Sequence, residues 1–152
     1  MYKIMFVCHG NICRSPMAEF IYKDMVKKLG RAGEFDVASS AVSTEEIWNG
    51  VGNPVYPPAK TELQKHGIFC EGKRAQLLTE ADGEYYDLLL CMDESNVRRA
   101  RKIVGAKNAE KCKKLLDFAG GGEVADPWYT GNFTATYQDL VKGLEGLLKT
   151  LI

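Results

Sequence analysis

Short continuous apolar runs alternate along the chain with longer amphipathic segments. The runs from Ile4 to Cys8 and from Leu88 to Cys91 have strand length, which is typical of central parallel strands covered on both faces. Two further strands are predicted from Phe35 to Ser39 and from Lys114 to Phe118. The chain therefore offers four candidate strands for one sheet.

Apolar residues at helical spacing predict helices between and after these strands. The predicted segments are 15–29, 61–66, one that begins at Asp93 or Ser95, and 133–151. Ser15 is expected to cap the first of them, with Pro16 at its first helical position. The last, from Phe133 to Leu151, carries enough leucines on one face to pack against the sheet.

Strands that alternate with helices favour a parallel sheet joined by right-handed crossovers. We therefore predict an α/β fold of three layers, with a four-stranded parallel sheet flanked by helices on both faces. No repeat or domain boundary is visible, so residues 1–152 are expected to form a single domain. Sites in such sheets lie outside the carboxyl ends of the strands, where the loop from Cys8 to Ser15 is expected.

Composition and charge exclude several classes of protein. The 20 lysines and arginines balance the 20 acidic residues, which argues against nucleic acid as a partner. The longest apolar runs are about a quarter of the ~20 residues that a membrane span needs. Five cysteines without an export signal favour a reducing, cytoplasmic location with free thiols.

The candidate chemistry lies in the loop Cys8-His9-Gly10-Asn11-Ile12-Cys13-Arg14-Ser15. A loop that leaves a strand and enters a helix N-terminus directs its N–H groups into one concavity, which binds anions. The same donors and a nearby guanidinium favour a thiolate, so Cys8 is the candidate nucleophile. Arg14 supplies a planar fork that can hold two oxygens of a tetrahedral oxyanion.

Two other interpretations of this loop stay open at this point. Cys8 is also compatible with a small buried residue at a strand end, with Arg14 and Ser15 merely starting a helix. Zinc fits less well, because neither histidine lies near a cysteine pair with ligand spacing.

The segment from Val7 to Glu19 closely resembles the phosphate-binding loop and first helix of the low-molecular-weight protein tyrosine phosphatases. Further matches follow in the family's order: Trp48-Asn49 with Gly52, Lys65 to Ile68, Cys91 to Asn96 and Asp126 to Tyr129. The resemblance spans essentially the whole chain. It implies hydrolysis of phosphotyrosine in proteins and of small aryl phosphates by a monomer, with inorganic phosphate as product and no metal or organic cofactor.

Expelling a phenolate from phosphorus requires a proton donor, and the phosphocysteine left behind requires a base. Asp126 is the candidate for both roles, because it precedes Pro127, follows a glycine-rich stretch and lies just after the last predicted strand. The resemblance implies that Cys8 attacks phosphorus, that Arg14 and the loop amides hold the oxygens, and that Asp126 protonates the leaving oxygen. It also implies that Ser15 stabilises the thiolate.

The resemblance assigns supporting roles to other residues. Asn11, Ser39 and His66 match a hydrogen-bonded network that holds the loop in shape. Trp48, Trp128 and Tyr129 match the walls of the aryl pocket, although the family commonly has tyrosine where Trp128 stands.

The remaining cysteines are expected to differ in role. Cys13 resembles the family's second cysteine, which can bridge the nucleophile reversibly on oxidation. Cys70, Cys91 and Cys112 are interpreted as inert packing residues.

Between Arg98 and Lys114 there are eight basic residues and one acid, Glu110. The default interpretation is a solvated face. The alternative is a surface that attracts acidic phosphopeptides.

Three rival functions share parts of this pattern. Thiol-dependent arsenate reductases need two shuttling cysteines close in sequence, whereas Cys70 and Cys91 are 21 positions apart. Relatives that hydrolyse phosphoarginine resemble this chain less at Ile12, where threonine is typical. A non-enzymatic phosphate-binding module needs neither Cys8 nor Asp126.

Overall fold

The computed structural model describes residues 1–152, and a central parallel sheet organises them. In chain order the elements are β1 (Tyr2–Cys8), α1 (Arg14–Lys28), β2 (Phe35–Ala41), β3 (Ile47–Trp48), β4 (Val51–Gly52), α2 (Pro57–Gln64), α3 (Glu80–Tyr85), β5 (Leu88–Cys91), α4 (Glu94–Val104), β6 (Cys112–Lys114), α5 (Pro127–Thr130) and α6 (Phe133–Leu151). Short 3₁₀ turns occupy Ala32–Glu34, Ala109–Lys111 and Leu115–Ala119.

The central sheet has four strands in the order β2-β1-β5-β6, and each pair of neighbouring strands is parallel. In the register, Phe6 of β1 lies between Ser39 of β2 and Leu90 of β5. The other two strands, β3 and β4, form a separate antiparallel hairpin. The predicted α/β fold with a four-stranded parallel sheet is confirmed.

Both faces of the sheet are covered, because β1 is apolar at every position from Ile4 onwards. Ile4, Phe6 and Cys8 pack into the larger core beneath α1, α2 and α6. Met5 and Val7 point the other way, into the smaller core beneath α4. Complete burial of such a side chain stabilises the folded state by about 1.5–3 kcal/mol. Because its residues enter both cores, β1 contributes to the stability of each.

One predicted strand is wrong in its position, and one helix was missed. The last strand is Cys112–Lys114, and the predicted strand from Lys114 to Phe118 is mostly a 3₁₀ turn. That turn buries Leu115 and Leu116 together, whereas an extended chain would point neighbouring side chains to opposite faces. The helix α3, which Thr79 begins with a capping box, was not predicted.

The starts of two helices decide where functional side chains point. Asp93 caps α4 as expected, because its side chain accepts a hydrogen bond from the N–H of Asn96 at 2.8 Å. Ser15 does not cap α1, which starts at Arg14 after Cys13 and has no side-chain cap. The Ser15 hydroxyl is therefore available to the loop. No helix combines the length and apolar character needed to cross a membrane.

Candidate active site

The sulfur of Cys8 sits at the carboxyl end of β1, where the loop to α1 begins. It lies 2.9 Å from Oγ of Ser15, and the backbone N–H of Asn11 donates to it at 3.3 Å. Cys8 is only 3% exposed. The contacts with Ser15 and Asn11 hold the sulfur in one position at the start of the loop.

Asn11 holds the loop in a conformation that few residues tolerate. Its φ is 59°, in the left-handed region, and it is buried. Its amide nitrogen donates to Oγ of Ser15 at 2.7 Å and to Oγ of Ser39 at 3.0 Å. Its side-chain oxygen Oδ1 accepts a hydrogen bond from the backbone N–H of Gln76 at 3.1 Å. Since the Ser15 oxygen accepts from Asn11, its single hydrogen has two acceptors within reach, the Cys8 sulfur at 2.9 Å and the more distant carbonyl of Ser40 at 3.4 Å.

The network continues to two residues that sequence reasoning missed. The Ser39 hydroxyl donates to Oε1 of Glu19 at 2.6 Å. The ammonium of Lys73 donates to the carbonyl of Ser39 at 2.9 Å and lies 3.5 Å from Glu19. Burial lowers the pKa of Lys73, and the neighbouring Glu19 carboxylate opposes that shift. The signal for Glu19 was a charged residue at helical spacing from Ser15, on the face that α1 buries.

His66 does not join this network, which corrects the role predicted for it. Its Nε2 lies 3.0 Å from a carboxylate oxygen of Glu62, and its ring stacks on Tyr137 with centroids 3.7 Å apart. The residue follows the end of α2 and faces α6, so it braces the contact between those helices. Lys73, and not His66, is the residue that contacts Ser39.

Arg14 is held in place by contacts from two distant segments. One terminal nitrogen donates to Asp93 at 2.8 Å and to the carbonyl of Val124 at 2.9 Å. The other donates to Asp126 at 3.4 Å. Burial works against the charge of Arg14, but Cys8, Asp93 and Asp126 outweigh it and raise its pKa. The guanidinium is therefore a permanently charged and oriented group beside the Cys8 sulfur.

Asp126 lies on the loop that leads into α5. Its Oδ1 accepts a hydrogen bond from the N–H of Trp128 at 3.0 Å, so it caps that short helix. Its Oδ2 is the atom that faces Arg14. The carboxylate is half-buried and borders the same pocket as Cys8, as the sequence predicted for a proton donor.

One pocket brings most of the predicted residues together. It is lined by Cys8, His9, Gly10, Asn11, Ile12, Cys13, Arg14, Glu45, Glu46, Asp126, Trp128 and Tyr129. Ser15 and Ser39 lie behind this surface and are fully buried. The two glutamates, which follow β2, were not predicted.

The three aromatic residues predicted for the wall are placed differently from one another. Tyr129 borders the pocket and is 85% exposed, so its ring is free to meet a substrate. Trp128 also borders it, and its ring lies 4.9 Å from that of Tyr56. Trp48 is exposed on β3 and is not among the residues that line the pocket. The aromatic wall seen here thus comes from the Asp126 loop alone.

All five cysteines are free and buried. Burial raises the pKa of Cys13 to about 12, with the Cys8 sulfur adding to the effect. It raises the pKa of Cys112 to about 11 and that of Cys91 well above the ordinary value. These thiols are protonated at neutral pH. No group of three or more histidine, cysteine, aspartate or glutamate side chains is placed to hold a metal ion.

One pocket of this α/β fold holds a buried thiol, a guanidinium fixed by hydrogen bonds and a carboxylate. This combination is typical of enzymes that act on a bound oxyanion. A family model described as low molecular weight phosphotyrosine protein phosphatase matches residues 3–152. The low molecular weight protein-tyrosine-phosphatase YfkJ of Bacillus subtilis is 36% identical over 99% of this chain and 96% of its own. The pig phosphotyrosine protein phosphatase is 34% identical over 96% and 93%.

Solved structures agree with these matches. The crystal structure of YfkJ superimposes with a TM-score of 0.92 and covers 99% of this chain and 94% of its own. The YwlE arginine phosphatase, in a mutant with a phosphorylated active-site serine, gives a TM-score of 0.84 at 28% identity over 98% and 95%. The chain therefore belongs to the low molecular weight phosphotyrosine protein phosphatase family. It is a hydrolase, and its activity is that of a protein tyrosine phosphatase.

Proposed function

We propose that this enzyme hydrolyses phosphotyrosine in two steps through a phosphocysteine on Cys8. The observation that carries the proposal is that the Cys8 sulfur, the Arg14 guanidinium and the Asp126 carboxylate all border one pocket. The phosphorylated active-site serine in the arginine phosphatase mutant supports covalent phosphoryl transfer on this fold.

In the first step the Cys8 thiolate attacks phosphorus, and the S–P bond forms as the bond to the tyrosyl oxygen breaks. Asp126 gives its proton to that oxygen, so tyrosine leaves as a neutral phenol. Arg14 and the N–H groups of residues 9–15 bind the remaining phosphoryl oxygens, whose charge is greatest in the transition state. Asp93 and Val124 hold Arg14 in position for this interaction.

In the second step Asp126, now a carboxylate, takes a proton from water, and the water oxygen attacks phosphorus. The S–P bond breaks, and its electron pair returns to the Cys8 sulfur. The hydroxyl of Ser15, 2.9 Å away, stabilises the departing thiolate. Inorganic phosphate leaves, and Asp126 carries the proton needed for the next cycle.

An aryl ring fits the entrance better than a guanidino group does. Ile12, Trp128 and Tyr129 offer apolar contact around the mouth of the pocket. At Ile12 there is no side-chain hydroxyl for a polar substrate group to bond. These residues favour phosphotyrosine over phosphoarginine as the substrate.

The pattern of buried, unpaired cysteines supports a cytoplasmic location, because free thiols persist in a reducing compartment. We also propose that residues 1–152 act as one catalytic domain and as a monomer. The pocket supports a single catalytic domain, since the Cys8 loop, Arg14 and Asp126 supply together the groups that both chemical steps require.

The test measures hydrolysis of p-nitrophenyl phosphate, a phosphotyrosine peptide and phosphoarginine by the wild type and two variants. Cys8→Ser should abolish turnover. Asp126→Ala should lower kcat on the peptide by about 10²- to 10⁴-fold, the usual contribution of a general acid. Cys70→Ser, at a buried cysteine that does not line the pocket, is the matched control and should remain active. Retained activity in Cys8→Ser, or faster turnover of phosphoarginine than of phosphotyrosine, contradicts the proposal.

A further inference from the structure

Three side chains form a row at the mouth of the active-site pocket. Nδ1 of His9 lies 3.1 Å from a terminal nitrogen of Arg99 on α4, and Nε2 of His9 lies 3.0 Å from a carboxylate oxygen of Glu45. A guanidinium has no lone pair to offer, so Arg99 donates and Nδ1 accepts. The ring proton is then on Nε2, which donates to Glu45. The His9 ring thus bridges a cation and an anion.

The cationic end of the row continues along α4. Arg98 and Lys102 are exposed and stand four positions apart, so they share one face of the helix. No carboxylate pairs with Arg98, Arg99 or Lys102. The only side-chain hydrogen bond of Arg99 is to the His9 ring. Three cations on α4 therefore lack a carboxylate partner, and Arg99 links this group to the pocket through its contact with His9.

The anionic end consists of Glu45 and its neighbour Glu46, which both border the pocket. The Glu46 side chain lies against the phosphate-binding loop, since its Cγ is 3.1 Å from the position of a Cβ built on Gly10. Glu46 makes no ion pair. The mouth of the pocket is thus negative at residues 45–46, and on the other side of His9 the Arg99 guanidinium and its neighbours on α4 supply positive charge.

We propose that this polarity selects the sequence around phosphotyrosine: acidic residues on one flank meet the cations of α4, and basic residues on the other flank meet Glu45 and Glu46. The inference rests on the proposed function, because the phosphotyrosine must enter at Cys8 for its backbone to cross the row. The chain has no net charge, so attraction over long distances contributes little. Discrimination depends on local charge complementarity at the mouth.

Two phosphopeptides of identical composition and net charge test this polarity. One is Glu-Glu-Gly-pTyr-Gly-Lys-Lys and the other is Lys-Lys-Gly-pTyr-Gly-Glu-Glu. Since an exposed charge contact is worth about 0.2–1 kcal/mol, we expect several such contacts to give one peptide an advantage of about fivefold in kcat/KM. The preferred peptide should have a lower KM and an unchanged kcat, because these charges stabilise the bound substrate and the transition state equally. It should fall as salt is raised to about 0.5 M.

Arg99→Glu should bring the ratio of the two kcat/KM values close to one, or reverse it. The matched control is Lys27→Glu, which makes the same charge change on exposed helix surface. Lys27 lies about 20 Å along α1 from Arg14, so its substitution should leave the ratio unchanged.

Equal hydrolysis of the two peptides by the wild type overturns the inference. The inference is also overturned if Arg99→Glu leaves the ratio of the two kcat/KM values unchanged, or if Lys27→Glu changes that ratio as much as Arg99→Glu does. Failure of the proposed function gives a different result, because neither peptide nor p-nitrophenyl phosphate would then be hydrolysed.

Discussion

The guanidinium of Arg14 donates a 2.8 Å hydrogen bond to Asp93, although 79 positions separate the two residues along the chain. The same Asp93 side chain caps α4 through the N–H of Asn96. The start of α4 therefore fixes the orientation of the group that is proposed to bind the phosphoryl oxygens. The sheet positions Asp93 for this contact, because β5 lies next to β1 and ends at the same edge of the sheet as the Cys8 loop.

Replacement of Asp93 by asparagine should lower kcat/KM for p-nitrophenyl phosphate by about 10- to 100-fold, because a displaced Arg14 no longer meets the transition state. The amide still caps the helix, so the thermal midpoint should change little. Steady-state kinetics and thermal unfolding measure the two effects. Activity within twofold of the wild type would show that Val124 and Asp126 orient Arg14 without Asp93.

Lys73→Met tests the buried ammonium behind the loop through the pH dependence of stability. The fold lowers the pKa of Lys73 below its ordinary value of 10.5, so the unfolded chain binds the proton more tightly than the folded one. Stability must then rise with pH in the window just below 10.5. Denaturant unfolding between about pH 8 and 10.5 should show the wild type gaining stability relative to Lys73→Met. A constant difference over that range contradicts the prediction.

Cys13→Ser tests the redox role predicted for the second cysteine of the loop. Mild peroxide should inactivate the wild type, and dithiothreitol should restore most of its activity, because a Cys8–Cys13 disulfide prevents further oxidation. The variant should lose activity irreversibly as Cys8 proceeds to the sulfinic acid. Intact mass distinguishes the disulfide from added oxygen. Cys112→Ser is the control and should recover like the wild type, since Cys112 is buried on β6 and does not line the pocket.

Gly146→Ala in α6 should destabilise the protein, although alanine normally stabilises a helix interior by roughly 0.5–1 kcal/mol relative to glycine. A Cβ at Gly146 would lie 2.0 Å from the carbonyl oxygen of Phe118, which is backbone and has little freedom to move. The expected loss is about 1–3 kcal/mol in the free energy of unfolding. Gly33→Ala is the control, because a Cβ at Gly33 meets no atom within 4 Å. Its unfolding free energy should stay within about 0.5 kcal/mol of the wild type.

The sequence by itself determined the parts of this protein whose signal is local. Runs such as Ile4 to Cys8 are apolar without a break because both faces of a central parallel strand are buried, and this pattern predicts the strand directly. The spacing of Cys8, Arg14 and Ser15 places them on one strand-to-helix loop, so their proximity follows from chain connectivity. The extended match to the family brought in Asp126, which connectivity alone cannot relate to Cys8.

Only the tertiary structure decided how distant segments meet. Lys73 reaches Ser39 through a loop, and Arg99 reaches His9 from another helix, so no spacing along the chain reports either contact. His66 was assigned to the loop network by resemblance, yet the packing of α2 against α6 gives it Glu62 and Tyr137 instead. Ser15 was expected to cap a helix, but its hydroxyl lies 2.9 Å from the buried sulfur of Cys8 instead. Side-chain partners depend on the packing of elements, and that information is distributed over the whole fold.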